Sequence, residues 1–195
     1  PEERRERLEC RSRSVRDQVL DRTESASAQD LGELLAESVR SNIDSIERLG
    51  ASCDVGMLTR ATQLLRAAPH IYVASLRRSR AIGDYLVYGL IRGERASSTL
   101  DFAGGMAGPQ IATFGHDDVL VAIAFPPYSK PVLDAVLDAH VSGKHIVAIT
   151  DGPESPLARN SELALFVPSD AASRLQPIAG AIALVHALLT AVTQE

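Results

Sequence analysis

The sequence predicts an α/β fold: a five-stranded parallel sheet flanked by helices on both faces. Three observations carry this. Short apolar runs rich in β-branched residues recur along the chain, and each leads through a polar loop into apolar residues at three- and four-residue spacing. The strongest run, Val119 to Ala124, is apolar on both faces, which suits the centre of a parallel sheet. The unit repeats until five strands alternate with helices, and right-handed crossovers then place helices on both sides of the sheet.

Taken in order, residues 1–29 form a charged N-terminal segment rich in arginine, glutamate and serine, with the apolar positions Leu8, Val15, Val19 and Leu20 thinly spread. It reads as a solvated helix or an arm. Residues 30–195 form the folded domain. Leu31, Leu34, Leu35, Val39, Ile43, Ile46 and Leu49 recur at helical spacing and end at Gly50, which predicts an amphipathic helix stopped by that glycine. Val55, Leu58, Ala61, Leu64 and Leu65 give a second helix, closed by Pro69. Both helices have apolar stripes to cover, against the sheet or a second subunit.

The first strand is Ile71 to Ala74, ending at Ser75, with a basic loop before a helix that resumes at Ala81 and Ile82. A weak strand follows near Ala96 to Leu100, then a loop with Asp101, Gly104, Gly105 and Gly108, and Pro109 in the first turn of a short helix. Val119 to Ala124 runs into Phe125, Pro126, Pro127 and Tyr128. Ser129 stands as an N-cap for a helix with Val132, Leu133, Val136, Leu137 and Val141, which ends at Gly143. Ile146 to Ile149 is the fourth strand, Ser155-Pro156 caps the next helix, and Leu163 to Val167 is the last strand. A polar loop, Pro168 to Arg174, leads to a long apolar C-terminal helix.

Composition narrows the function. A net charge of −5 argues against nucleic-acid binding by the chain as a whole. The arginines at 4, 5, 7, 11, 13 and 16 are diluted by the glutamates at 2, 3, 6 and 9. Cys10 and Cys53 lack metal-ligand spacing, so neither a disulfide framework nor a zinc site is indicated, and a reducing cytoplasm fits best. No secretory signal heads the chain, and Ile178 to Val192, interrupted by His186, is short for a bilayer span, so no membrane partner is expected. The start at Pro1, without methionine and inside a charged stretch, suggests a fragment or processed piece.

In a parallel sheet the loops after the strands share one edge, where ligands bind. These are Ser75 to Ser79, Asp101 to Gly105, Phe125 to Ser129, Asp151 to Ser155 and Ser169 to Ser173. Hydroxyls, two arginines, a tyrosine and glycines suit a small anionic, polyhydroxy ligand such as a sugar phosphate. Ser75, Arg77, Arg78 and Ser79 are the candidate phosphate binders; the bland alternative is an ordinary connection with solvated arginines. Tyr128 either stacks on a sugar or fills the gap beside the prolines. Asp151 and Ser155 order their turn, with ligand contact as the second reading.

The series IYVASLRRS, DDVLVAIAFPPYSK and VAITDGPESPLA resembles the sugar isomerase (SIS) domain, in particular its version at the C-terminal end of RpiR-type bacterial transcriptional regulators. The likeness covers about residues 31 to 195. It implies a flavodoxin-like three-layer sandwich, a homodimer or homotetramer, and a phosphorylated sugar-like effector held by serines of the ligand-edge loops. It also implies operator DNA as a partner only through an N-terminal helix-turn-helix domain, which is absent here or survives as a last helix within residues 4–20.

The family's first-loop pattern of glycine, any residue, glycine, any residue, serine falls on Ser75 to Ser79, and only Ser79 is kept. The second, serine, any residue, serine, glycine, any residue, threonine, falls on Ala124 to Ser129 and keeps only the final hydroxyl, Ser129. Pro126 and Pro127 remove two N–H donors, while Arg77 and Arg78 offer charged, bidentate replacements. The ligand-binding set is thus Ser75, Arg77, Arg78, Ser79, Tyr128, Ser129 and Ser155, with no cofactor and no metal.

The rival class is a sugar-phosphate isomerase on the same fold, which needs a general base at the ligand edge. Only Glu154, Asp170 and His186 offer one, since His70, His116 and His145 sit just before strands, at the opposite edge, and His140 is on a helix. The expected function is therefore not enzymatic. The chain reads as the effector-binding and oligomerisation domain of an RpiR-like regulator, and a dimerisation module with a vestigial pocket is the third reading.

Overall fold

The computed structural model of the protein describes residues 28–168 and 177–194. The arginine-rich segment, the polar loop at 169–173 and Asp170 lie outside the described residues. By its contacts the chain divides into two units, residues 1–41 and 42–195. Helix α1, Ala28–Ser52, belongs to the first up to Ser41 and to the second from Asn42. Within the first unit it exposes Leu31, Leu34, Leu35 and Val39. Within the second it buries Ser45 and Leu49 and exposes Ile43 and Ile46.

Gly50 does not stop α1. The helix runs on to Ser52, the Cys53 amide donates to the Leu49 carbonyl at 2.9 Å, and a fresh start is made at Asp54. The Asp54 carboxylate accepts the Met57 amide at 3.0 Å and so caps α2, Val55–Ala67.

The sheet contains β1 (Ile71–Ser75), β2 (Ser97–Thr99), β3 (Val119–Ile123), β4 (His145–Thr150) and β5 (Leu163–Phe166), all parallel, in the order β2-β1-β3-β4-β5. Ser75 pairs with Ile123, Val119 with His145, and Thr150 with Phe166. The edge strand β2 is shorter than its sequence run, although Ile71 donates to Ala96 and Leu100 to Val73, both at 2.9 Å, which extends the pairing to the predicted limits.

Because side chains alternate across a strand, the sheet makes two cores. On one face Ile71, Val73, Val119, Val121, Ile123, Val147, Ile149, Leu163 and Leu165 meet Leu49, α2, α3 (Arg80–Arg92) and α7 (Ala179–Thr193). On the other Ala74, Leu120, Ala122, Ile146, Ala148 and Ala164 meet α4 (Ala107–Ala112), α5 (Lys130–Val141) and α6 (Pro156–Arg159). The expected three layers are present. Gly143 (φ +65°) ends α5, with the Lys144 amide reaching back to the Ala139 carbonyl at 3.0 Å.

Two arginines close helix ends at the amino edge of the sheet. Arg95 donates to the carbonyls of Leu65, Arg66 and Ala68 at 3.2, 2.6 and 3.0 Å, filling acceptors that the last turn of α2 leaves open. Arg66 in turn donates to the Ala191 carbonyl at 3.0 Å and to that of Gln194, at the end of α7. Among the described residues no helix is long and apolar enough to cross a membrane.

Candidate functional site

The strand order places a switch point between β1 and β3: the chain leaves β1 towards β2 on one side, then returns past β1 to β3 on the other. Loops at such a point diverge to opposite faces and leave a crevice at the carboxyl ends. After β1 comes Leu76, a 3₁₀ turn at Arg77–Ser79, and α3 on the first face. After β3 the chain passes the cis Pro126–Pro127 bond to Ser129 and enters α5 on the second face.

On the first face these loops border an open cleft of about 370 Å³, lined by Arg78, Ser79, Ile82, Phe125, Val167, Pro168, Pro177, Ile178 and Ala181. The beginnings of α3 and α7 both reach it. Among the described residues its wall is apolar apart from one guanidinium and one hydroxyl. Ser79 is 7% exposed, so its position is fixed, whereas Arg78 is an exposed side chain on the rim.

The predicted site residues do not gather in one place. Arg78 and Ser79 stand on the cleft. Ser75 does not, because it faces α3: a Cβ on Gly83 would lie 2.0 Å from the Ser75 Oγ. That hydroxyl is buried and has no hydrogen-bond partner among the described residues. Arg77, exposed, holds φ at +56°, a left-handed conformation that costs a side-chain-bearing residue about 1–2 kcal/mol. It is the position where the resemblance expects the second glycine of the loop.

Tyr128 and Ser155 belong to a network at the ends of β3 and β4. The Tyr128 hydroxyl donates to Asp151 Oδ1 at 2.7 Å, the Thr150 hydroxyl shares that oxygen at 3.0 Å, and Thr150 meets Ser155 at 2.8 Å. Ser155 Oγ also accepts the Leu157 amide at 3.2 Å and so caps α6. Burial, and next the hydrogen bond to Asp151, push the Tyr128 phenol above its ordinary value. It is therefore a neutral donor at neutral pH. Ser129 is buried at the N-cap position of α5, yet its side chain accepts no capping bond, contrary to expectation.

Of the candidate catalytic groups, Glu154 and His186 are not among the described residues that line the cleft. Glu154 is exposed and ion-paired with Arg159. His186 is exposed on α7, its Nδ1 2.7 Å from the Tyr85 hydroxyl of α3. The apolar wall is not legible in the sequence, because Ile82, Phe125, Val167 and Ile178 come from four separate segments and each alone reads as core.

A family model described as "SIS domain" matches residues 64–194. Among solved structures, the sugar isomerase domain of an RpiR transcription factor from Sphaerobacter thermophilus is similar with a TM-score of 0.78 and 21% identity, covering 82% of this chain and 89% of that one. Vibrio vulnificus NanR, solved in complex with ManNAc-6P, aligns with a TM-score of 0.72 and 21% identity over 89% of this chain and 65% of its own. At these identities the likeness is one of fold. Phosphoheptose isomerase of Coxiella burnetii is 37% identical over 71 residues, 34% of this chain. The match spans about a third, 36%, of that relative's length.

Proposed function

The chain belongs to the SIS domain family, and from that premise we propose that it is an effector-binding and oligomerisation domain of a transcriptional regulator, sensing a sugar phosphate or related phosphorylated metabolite. The observation that carries this reading is the chemistry of the cleft. Arg78 and Ser79 offer a cation and a hydroxyl at the start of α3, where first-turn N–H groups favour an anion. No carboxylate or imidazole stands among the residues described on its wall. A phosphate can be held there, with nothing described beside it to move a proton from carbon. We assign oligomerisation to α1, which exposes Leu31, Leu34, Leu35 and Val39 in the first unit and Ile43 and Ile46 in the second. Cytoplasmic residence and operator binding through a preceding domain complete the proposal.

The test is calorimetric titration with a panel of sugar phosphates and their unphosphorylated counterparts. One phosphorylated sugar should bind, and Arg78→Ala should weaken it by about 30-fold, the equivalent of about 2 kcal/mol for a charge-assisted hydrogen bond. Absence of binding across the panel would leave a dimerisation module. The match to phosphoheptose isomerase favours the enzymatic reading; turnover of the bound sugar that depends on Glu154 or His186 would establish it.

A further inference from the structure

We propose a divalent transition-metal site at the amino edge of the sheet, formed by His116, Asp117 and His145 and oriented by Glu162, on the side opposite the cleft. One ligand atom from each of His116, Asp117 and His145 lies within 4.8 Å of the others. Two imidazoles and a carboxylate are a donor set suited to zinc and its neighbours.

Strand register brings them together. Val119 pairs with His145, so the residues just before β3 stand beside the first residue of β4. Glu162 precedes β5, and its amide donates to the Ile146 carbonyl at 3.1 Å, which fixes it next to His145. Its carboxylate lies 2.7 Å from His145 Nδ1. With Nδ1 held as a donor, Nε2 carries the lone pair for a metal, and a carboxylate behind a ligating imidazole both orients it and raises its basicity.

The remaining geometry can close. Donors on a tetrahedral ion with bonds of about 2.0–2.1 Å lie roughly 3.3 Å apart, so the set must contract by about 1.5 Å from its widest spacing. The side chains of His116 and Asp117 are 91% and 71% exposed, and packing does not resist their rotation. His116 Nδ1 now lies 2.8 Å from Asp117 Oδ1, a contact that coordination would replace. The charges nearby are the buried Asp118, which accepts the Gly115 amide at 2.6 Å, and Lys144, whose ammonium is spent on the Phe114 carbonyl at 2.7 Å. Asp117, Asp118 and Glu162 together outweigh that lysine and offset a divalent charge. Three protein ligands leave a fourth position for water or for a group from another molecule.

The experiment is calorimetric titration of the metal-stripped chain with zinc chloride. One equivalent should bind. His116→Ala and His145→Ala should each weaken it by at least about tenfold, and Glu162→Gln by about tenfold, the usual effect of losing an orienting partner. The Cys10→Ser, Cys53→Ser double variant should bind like the parent. Circular dichroism confirms that each variant is folded; if His145→Ala unfolds, His116→Ala, at the more exposed position, still decides the matter. No zinc uptake by the parent, or uptake unchanged in both histidine variants, overturns the site. Neither result bears on sugar-phosphate binding, which resides at the other edge.

Discussion

Helix α3 approaches β1 so closely at Gly83 that a single methyl group should be felt by both the core and the cleft. In Gly83→Ala the new carbon would stand 2.0 Å from Ser75 Oγ, 2.8 Å from Ser75 Cβ and 3.2 Å from Val73 Cγ1. Rotation of the serine can relieve the first contact. It cannot relieve the second, because that carbon is fixed to the strand, and carbon atoms pack at about 3.5–4.0 Å. The helix must retreat by roughly 1 Å. Overpacking of this kind costs about 1–3 kcal/mol, against about 1 kcal/mol gained by replacing a helical glycine with alanine. The net loss is about 1 kcal/mol, a fall of about 2–4 °C in Tm for a chain of this size. Urea denaturation followed by circular dichroism measures it. In a Ser75→Gly background both close atoms are gone, and the same substitution should be neutral or stabilising. A coupling of at least about 1 kcal/mol between the two positions is therefore expected. Equal effects of Gly83→Ala in the two backgrounds would refute the reasoning. Because Ser79 and Ile82 ride on the same turn, the single variant should also weaken any ligand of the cleft.

Ser75→Ala removes a buried hydroxyl with no partner among the described residues and should stabilise the fold by about 1 kcal/mol in the same assay; loss of effector affinity instead would show that the hydroxyl turns towards the ligand. Arg77→Gly relieves a left-handed φ worth about 1–2 kcal/mol and gives back about 0.5–1 kcal/mol in unfolded-state entropy, so a small gain in stability is expected by urea titration. Tyr128 titrates above its unfolded value, so its stabilising contribution is complete below the unfolded tyrosine range near pH 10 and is lost as pH rises through the higher folded value. Tyr128→Phe should be less stable at neutral pH and should lose less stability on going to strongly alkaline pH, as read from denaturation midpoints across that range.

Much of the fold could be read from residue pattern, because each strand and helix declares itself locally. Val119 to Ile123 is apolar on both faces and is fully buried at the sheet's centre. Ser155-Pro156 specifies its cap through one side-chain oxygen and one fixed φ, and both act as expected. Features decided between segments were harder to see. Gly50 looked like a stop, but nothing required a left-handed residue there, and the chain turns four residues later at Asp54. Arg77 adopts a glycine's conformation without being glycine, so the loop keeps its path while its sequence pattern is lost. Ser75 stands at a strand end, where ligand groups gather, but the alternation of side chains sends it under α3. The positions of His116 and His145 ahead of their strands put both at the amino edge, but their meeting depends on the β3–β4 register, which the residue pattern does not encode.

The two faces of the sheet are built from unequal side chains. Towards α2, α3 and α7 the strands present valine, isoleucine and leucine, and towards α5 they present mainly alanines: Ala74, Ala122, Ala148 and Ala164, met by Ala135 and Ala139 of the helix. One layer is thus spaced mainly by small side chains, while the other is spaced by branched ones except where Gly83 lets α3 approach β1. The cleft opens on the side of the branched residues. A change in ligand preference can therefore be made by trading Ile82, Phe125, Val167 or Ile178 for other apolar residues, with the alanine layer left untouched to hold the sheet.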